Sequence, residues 1–402
     1  MKRDMALNVF GSFLLTAAIQ LVCYPFLALY YDADYYGTIL LLIGVLNMVS
    51  GLLSSSLNNS RLVLQKHYEE SNLGNESYAS GDFNIILLGF ELIAGATGLF
   101  LAFALGETIL NAFFCFVVAF LIVVNGYHAV SFRLVIDYKK ILLMNVVKAL
   151  GYLLGLFVFR VTNVWLMPFF IGEGAGAAYC AFQAFTFREP RRITSRFSVT
   201  LKEVTMLVGG YAASSLTQYA DRLFLYPVLG SSSVSCFTVA SYLGKTAGVV
   251  AGPISGVLLS YYSKDKNEIS LRTLFSRSVA MCIGLLVCLV LVIIVSEPVL
   301  GFFYPGLVAS ALEYVPLASA AAISAVFCGL IQPMLLSYAK PICQSIVQGS
   351  FLVLYVALGY LAVCFGFGIA GFCVAVLAAN IMRAAMMIVF TARGILTSSS
   401  VA

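Results

Sequence analysis

Ser276–Ser296 reads SRSVAMCIGLLVCLVLVIIVS, and past Arg277 it holds no charged residue. About 20 apolar residues at a rise of about 1.5 Å each cross the roughly 30 Å of hydrocarbon in a bilayer. Comparable runs recur along the chain, at roughly 6–31, 37–57, 83–105, 109–131, 134–160, 165–187, 204–230, 234–261, 312–336, 342–366 and 368–390. The runs are continuous and lack the every-second-residue alternation of barrel strands. In lipid the backbone satisfies its own polar groups, so such runs read as helices. The expected fold is therefore all-α, a polytopic membrane protein of about a dozen transmembrane helices. Composition agrees: 61% of the 402 residues are hydrophobic and 10% charged, against roughly 25% charged in a soluble domain.

The connectors are short, and the two longest polar ones, Asn58–Asp82 and Arg188–Glu203, are too small for an enzyme domain. Met1-Lys2-Arg3 before an apolar run imitates a signal peptide. The run to about Tyr31 is too long for one and has no clear cleavage site, so it is expected to stay as the first span. The ten cysteines lie in apolar runs without ligand spacing, which predicts packing rather than disulfides or metal. The net charge of +5 resides in loops and is not a nucleic-acid footprint.

Lysine and arginine orient the chain, because cytoplasmic loops collect them. With the N-terminus inside, 19 of the 23 basic residues fall on cytoplasmic segments and only Arg160 on an outer edge. This predicts both termini in the cytoplasm. The richest basic loop, REPRRITSRFSVTLKE at Arg188–Glu203, follows the sixth span and divides the chain into two six-helix lobes, 1–195 and 196–402. The halves echo each other weakly: Gly11, Gln20 and Pro25 in the first span, Gly209, Gln218 and Pro227 in the seventh. Parallel six-helix repeats are a transporter architecture. Pro25, Pro168, Pro227 and Pro253 are positioned to bend their helices.

Charges inside spans cost about 2.5–3.5 kcal/mol each at mid-helix, so they face a wet cavity or a partner. The cations are Lys148, Arg222 and Lys245, and the acids are Glu91, Glu173 and Asp221. Gln218, Asp221 and Arg222 stand at i, i+3 and i+4, which places Gln218 beside both charges on one helix face. Two arrangements are open. The six charges pair as structural glue, or the cations line a cavity for a phosphate or pyrophosphate, arginine gripping it bidentately and lysine as a point charge. His128 reads as a packed histidine. Arg61 and Lys66, just past the second span, suit lipid phosphates or a cytoplasmic substrate gate. There is no H-E-x-x-H, P-loop or G-x-S-x-G, which counts against an enzyme.

Gln218–Lys264, QYADRLFLYPVLGSSSVSCFTVASYLGKTAGVVAGPISGVLLSYYSK, resembles the polysaccharide transport branch of the multidrug/oligosaccharidyl-lipid/polysaccharide flippase superfamily. The likeness rests on Asp221-Arg222, Val228-Leu229-Gly230, Phe237-Thr238-Val239-Ala240, Lys245 and Pro253, with Phe237 in place of the usual tyrosine, and more loosely on Tyr36-Gly37 and the basic segment from Arg61. The resemblance implies a Wzx-type flippase of the bacterial inner membrane. Such a protein moves undecaprenyl-pyrophosphate-linked oligosaccharide units from the cytoplasmic to the periplasmic leaflet, for O-antigen or capsule. It also implies coupling to a proton or sodium gradient, no cofactor, contact with membrane lipids, and work beside a polysaccharide polymerase and a chain-length regulator. In that reading Arg222, Lys245, Lys148, Gln218 and Arg61 bind substrate, and Asp221, Glu91 and Glu173 couple the ion.

Two other readings are weighed. A multidrug or cation exporter of the same superfamily usually carries a carboxylate in its first helix, and residues 6–31 contain none. The other is a membrane enzyme, a polysaccharide polymerase or an acyltransferase; a polymerase usually needs a large outer loop with basic residues, and the longest outer connector, near Ser296–Ala311, is short and has no lysine or arginine.

Overall fold

A computed structural model describes residues 2–70, 76–264, 270–339 and 341–399, and among them it is helical throughout, with no strand. Nine of its helices are long and apolar enough to cross a membrane. The run quoted first forms the longest apolar stretch of α12, Leu271–Phe303 (helices are numbered in chain order). Val279, Ile283, Leu286, Val290 and Ile294 stand exposed along that helix. Such a surface suits contact with lipid.

The chain divides into two compact units. The first holds Met1–Tyr30 and Thr38–Leu223. It opens with α1 (Lys2–Ala17) and α2 (Tyr24–Tyr30), joined by a π-helical turn, Ala18–Cys23. The amide of Tyr24 bonds to Ile19 O, five residues back, directly before Pro25. A proline ring clashes with the carbonyl four residues earlier, and the wider turn relieves that crowding. The bend expected at Pro25 is thus a π-turn. Next come α3 (Ala33–Glu70), α4 (Glu76–Ala104), α5 (Ile109–His128), α6 (Val130–Leu134), α7 (Tyr138–Thr162), α8 (Met167–Gln183) and α9 (Phe197–Leu229). Helices α7 and α8 approach through glycines. A side chain at Gly151 would meet Gly172 Cα at 3.0 Å, and one at Gly155 would run into Pro168. This is the small-residue contact that lets membrane helices pack without a hydrophobic drive.

The second unit holds Tyr31–Gly37 and Phe224–Ala402. Its helices are α10 (Ser231–Ala240), α11 (Tyr242–Lys264), α12, α13 (Val308–Ala311), α14 (Val315–Tyr338), α15 (Pro341–Cys364) and α16 (Gly368–Ser399). The start of α10 is capped by Asp34, whose Oδ1 accepts from Ser231 Oγ at 2.9 Å and from the Ser232 amide at 3.1 Å. An acid at a helix N-terminus satisfies free amides and the dipole together. Gly37 lies against the Ser231 carbonyl, where no side chain fits. Phe372 stacks on Phe224 at 5.3 Å and meets Phe237 and Tyr355 edge-on, and Cys328, Ile331, Leu335, Val347, Ala384 and Met387 join α14, α15 and α16.

Three expected spans depart from simple apolar rods. The sixth is α8, only 17 residues long, with a proline in its first turn. The seventh, α9, runs 33 residues and carries Lys202, Glu203, Asp221 and Arg222 along its length. The eighth is broken at Ser241 into α10 and α11, and a single glycine, Gly230 at φ +86°, turns the chain between α9 and α10. The lobe boundary expected at 195 and the unit boundary at Leu223 also differ, because most of α9 packs with the first unit. Helix α3 continues to Glu70, well past the expected span end at 57, and just beyond that end Asn58, Asn59 and Arg61 bond to Gly126 O, Tyr211 and Glu189. The Lys66 side chain and residues Lys266 and Lys340 lie outside the described residues, as does the side chain of Pro253.

Candidate substrate cavity and intramembrane charges

Helices α3 and α9 each carry a polar stripe along one face. On α3 the positions are Asn47, Gly51, Ser55 and Asn59, and on α9 they are Tyr211, Ser215, Gln218 and Tyr219. Spacings of three and four hold each set roughly on one helix face. With Met48 and Leu52 they line an open cavity of about 310 Å³. None of its ten lining residues is charged. Asn59 Nδ2 donates to Tyr211 Oη at 3.0 Å across one end. Polar periodicity at i, i+4 was the available sequence signal for this stripe, and of its members only Gln218 stands out by sequence, through its charged neighbours.

Arg222 lies one turn beyond Gln218 on α9. Its Nη1 donates to Leu40 O at 3.0 Å, its guanidinium stands 6.0 Å from the ring centroid of cavity-lining Tyr219, and Tyr24 is within hydrogen-bond reach. The approach to α3 depends on Gly44, where an added Cβ would lie 3.0 Å from Arg222 Cδ. Asp221 is buried, and its Oδ1 accepts from the Arg222 amide at 2.9 Å. In the second unit Lys245 is exposed in the first turn of α11, with Nζ 5.1 Å above the Phe237 ring. Its neighbour Gly244 seats that turn on Ser319 and Ala322 of α14.

Lys148 and Glu173 form a buried ion pair, Nζ to Oε2 at 2.8 Å. The carboxylate is fully engaged: Tyr152 Oη donates to Oε1 at 2.6 Å and Asn125 Nδ2 to Oε2 at 2.7 Å. Gly176 makes room for the Lys148 stem and Gly172 for the Tyr152 ring. Glu91, buried in α4, makes no hydrogen bond among the described residues and lies within electrostatic reach of Arg191.

One end of the first unit is tied to the segment between α8 and α9. Arg61 is buried, its Nη2 at 2.9 Å from Glu189 Oε1 and its guanidinium 5.0 Å over Phe83. Asn84 Nδ2 donates to Glu189 O at 3.0 Å. Asp82 accepts from the Thr194 amide at 2.7 Å and from its hydroxyl. Gly81 lies beneath the backbone of Pro190 and Arg192. His128 is packed, with Nδ1 at 2.8 Å from Thr186 Oγ1 and Phe187 against its ring. Arg383 lies within α16 and donates to Gln348 Oε1 at 3.0 Å.

The chain was compared with known proteins. It superposes on an inward-facing multidrug resistance MATE family transporter of the MOP superfamily with a TM-score of 0.65 at 15% identity, over 98% of this chain and 96% of that one. The lipid II flippase MurJ, in an inward closed conformation, gives 0.67 at 16% identity over 96% and 84%. The fold is the one these MATE and MurJ structures share. The MATE transporter VcmN of Vibrio cholerae in its bent form gives 0.61 at 14% identity over 98% of this chain and 96% of its own. No protein-family model matches the sequence. No curated protein matches it either. At these identities the likeness concerns the fold, and MATE and MurJ share it while differing in what their names say they move.

Proposed function

We infer that this MOP-fold protein flips undecaprenyl-pyrophosphate-linked oligosaccharide units across the bacterial inner membrane for O-antigen or capsule synthesis. The observation that carries this reading is Arg222, an in-span guanidinium beside a cavity whose lining holds no carboxylate. A cation exporter needs the opposite charge there, whereas a pyrophosphate is matched by arginine's fork of donors. The absence of Asp and Glu from residues 6–31 points the same way. Lys245 is the second cation assigned to the substrate phosphates. Glu91 and Asp221 are assigned to a coupling proton or sodium ion, and Glu173, held by Lys148, Tyr152 and Asn125, serves there only if that pair opens. Arg61 serves as a substrate contact only if Glu189 releases it.

The chain should restore surface polysaccharide in a flippase-deficient strain that makes the matching repeat unit, and should give no protection against ethidium. Protection against ethidium without polysaccharide would replace the flippase reading with the exporter one. Both termini are assigned to the cytoplasm from the lysine and arginine distribution. Reporter fusions after Arg196 and after Thr397 should therefore both read cytoplasmic. A periplasmic signal at either site would overturn the twelve-span topology and the two six-helix lobes.

A further inference from the structure

The cavity between α3 and α9 has a chemistry of its own. Ser55, Ser215, Gln218 and Tyr219 line it, and among the described residues none of these four side chains makes a hydrogen bond within the protein. Asn47 uses only its Nδ2, which donates to Ile43 O at 2.9 Å, so its carbonyl oxygen adds an acceptor. Together these groups are neutral and both donate and accept. Polar groups set in an apolar membrane helix without partners are costly unless a ligand or water completes them. The cavity's 310 Å³ matches the lower end of small-molecule sites, roughly 300–1,000 Å³. An organic cation would find no carboxylate here, and an acyl chain would lie on amides and hydroxyls.

We propose that this cavity is a sugar subsite, in which Asn47, Ser55, Ser215 and Gln218 bind the hydroxyls of a neutral pyranose and Tyr219 offers its ring to a sugar face. A sugar ring supplies donors and acceptors around its rim and apolar C–H faces, which complement amides, hydroxyls and an aromatic plane. Tyr219 touches both regions: it lines the cavity and lies beside Arg222. The first sugar of a lipid-linked unit is joined directly to the pyrophosphate, so a cation immediately past the cavity's end meets the geometry of such a headgroup. The assignment rests on the flippase reading and adds to it which part of the substrate is recognised by neutral groups.

Gly51 provides the test. It lines the cavity, and a Cβ built on it meets nothing within 4 Å. Gly51→Leu therefore fills the cavity from within, while Gln218→Ala removes an exposed amide whose loss leaves packing intact. Binding to the purified full-length protein would be measured with two probes, undecaprenyl-pyrophosphoryl-N-acetylglucosamine and undecaprenyl pyrophosphate. The wild type should bind the sugar-bearing probe roughly tenfold more tightly, the worth of one or two net hydrogen bonds. Both monodisperse variants should lose that preference and keep the wild-type affinity for undecaprenyl pyrophosphate. If the wild type binds both probes equally, or if the variants lose both probes alike, the sugar subsite is wrong while pyrophosphate recognition stands. If the wild type binds neither probe and binds ethidium instead, the flippase reading falls and the subsite with it.

Discussion

Lys148→Ala is expected to deplete the protein from the membrane and to lower its melting temperature by several degrees or more. The lysine lies 2.8 Å from Glu173 in a buried site. Its removal leaves the carboxylate with Tyr152 and Asn125 but with no opposing charge at hand. Breaking a buried pair from one side costs about 3–5 kcal/mol, a large share of a typical stability of about 5–15 kcal/mol. Lys148→Met combined with Glu173→Leu removes both charges at similar volume and should recover most of the lost stability, because the pair's Coulomb gain is largely offset by the desolvation of its two charges. The measurement is thermal unfolding followed by size-exclusion fluorescence. A Lys148→Ala protein that melts within about 2 °C of the wild type would show that the pair does not hold the first unit together. The double variant separates the two parts these residues were given from sequence. Folded protein that still restores polysaccharide makes Lys148 and Glu173 structural, whereas folded protein without transport returns them to substrate binding and ion coupling.

Arg222→Ala should behave in the opposite way, accumulating normally and losing transport. Inside the protein the guanidinium donates to the Leu40 carbonyl and neighbours Tyr24 and Tyr219. A bond with a charged donor contributes about 1.5–3 kcal/mol, within what a stability of about 5–15 kcal/mol tolerates. Each charge-assisted contact to a pyrophosphate is of the same size, about 1.5–3 kcal/mol, so losing one should lower transport roughly ten- to hundredfold. Arg222→Lys should recover part of the rate, since the charge survives and the bidentate geometry does not. Lys245→Ala should show a smaller loss of the same kind, in keeping with its exposed position. The readout is surface polysaccharide in a flippase-deficient strain, at matched membrane levels of each variant. Wild-type polysaccharide from both alanine variants would take these cations out of the substrate path.

The sequence by itself determined the features that a one-dimensional pattern carries. Continuous apolar runs dictate helices in lipid, because no other backbone arrangement of this kind satisfies its polar groups there, and the runs at 109–131, 312–336 and 368–390 fall within the spans found. Pro25 announced a distortion, since a proline removes a donor wherever it sits in a helix. The in-span charges were visible because each is rare and costly in its setting.

Only the tertiary structure decided what those charges and stripes face. Whether Lys148 meets a substrate or Glu173 depends on α7 and α8 closing over Gly172 and Gly176, a contact between helices that charge alone does not specify. Just past the expected end of the second span, the partners of α3 lie far along the chain, with Asn58 donating to Gly126 O and Arg61 reaching Glu189. The cavity likewise exists because two separately placed polar faces, Asn47 to Asn59 and Tyr211 to Tyr219, are turned toward one space. Periodicity gives a helix its faces, but the direction each face points is set by packing against residues more than 150 positions away.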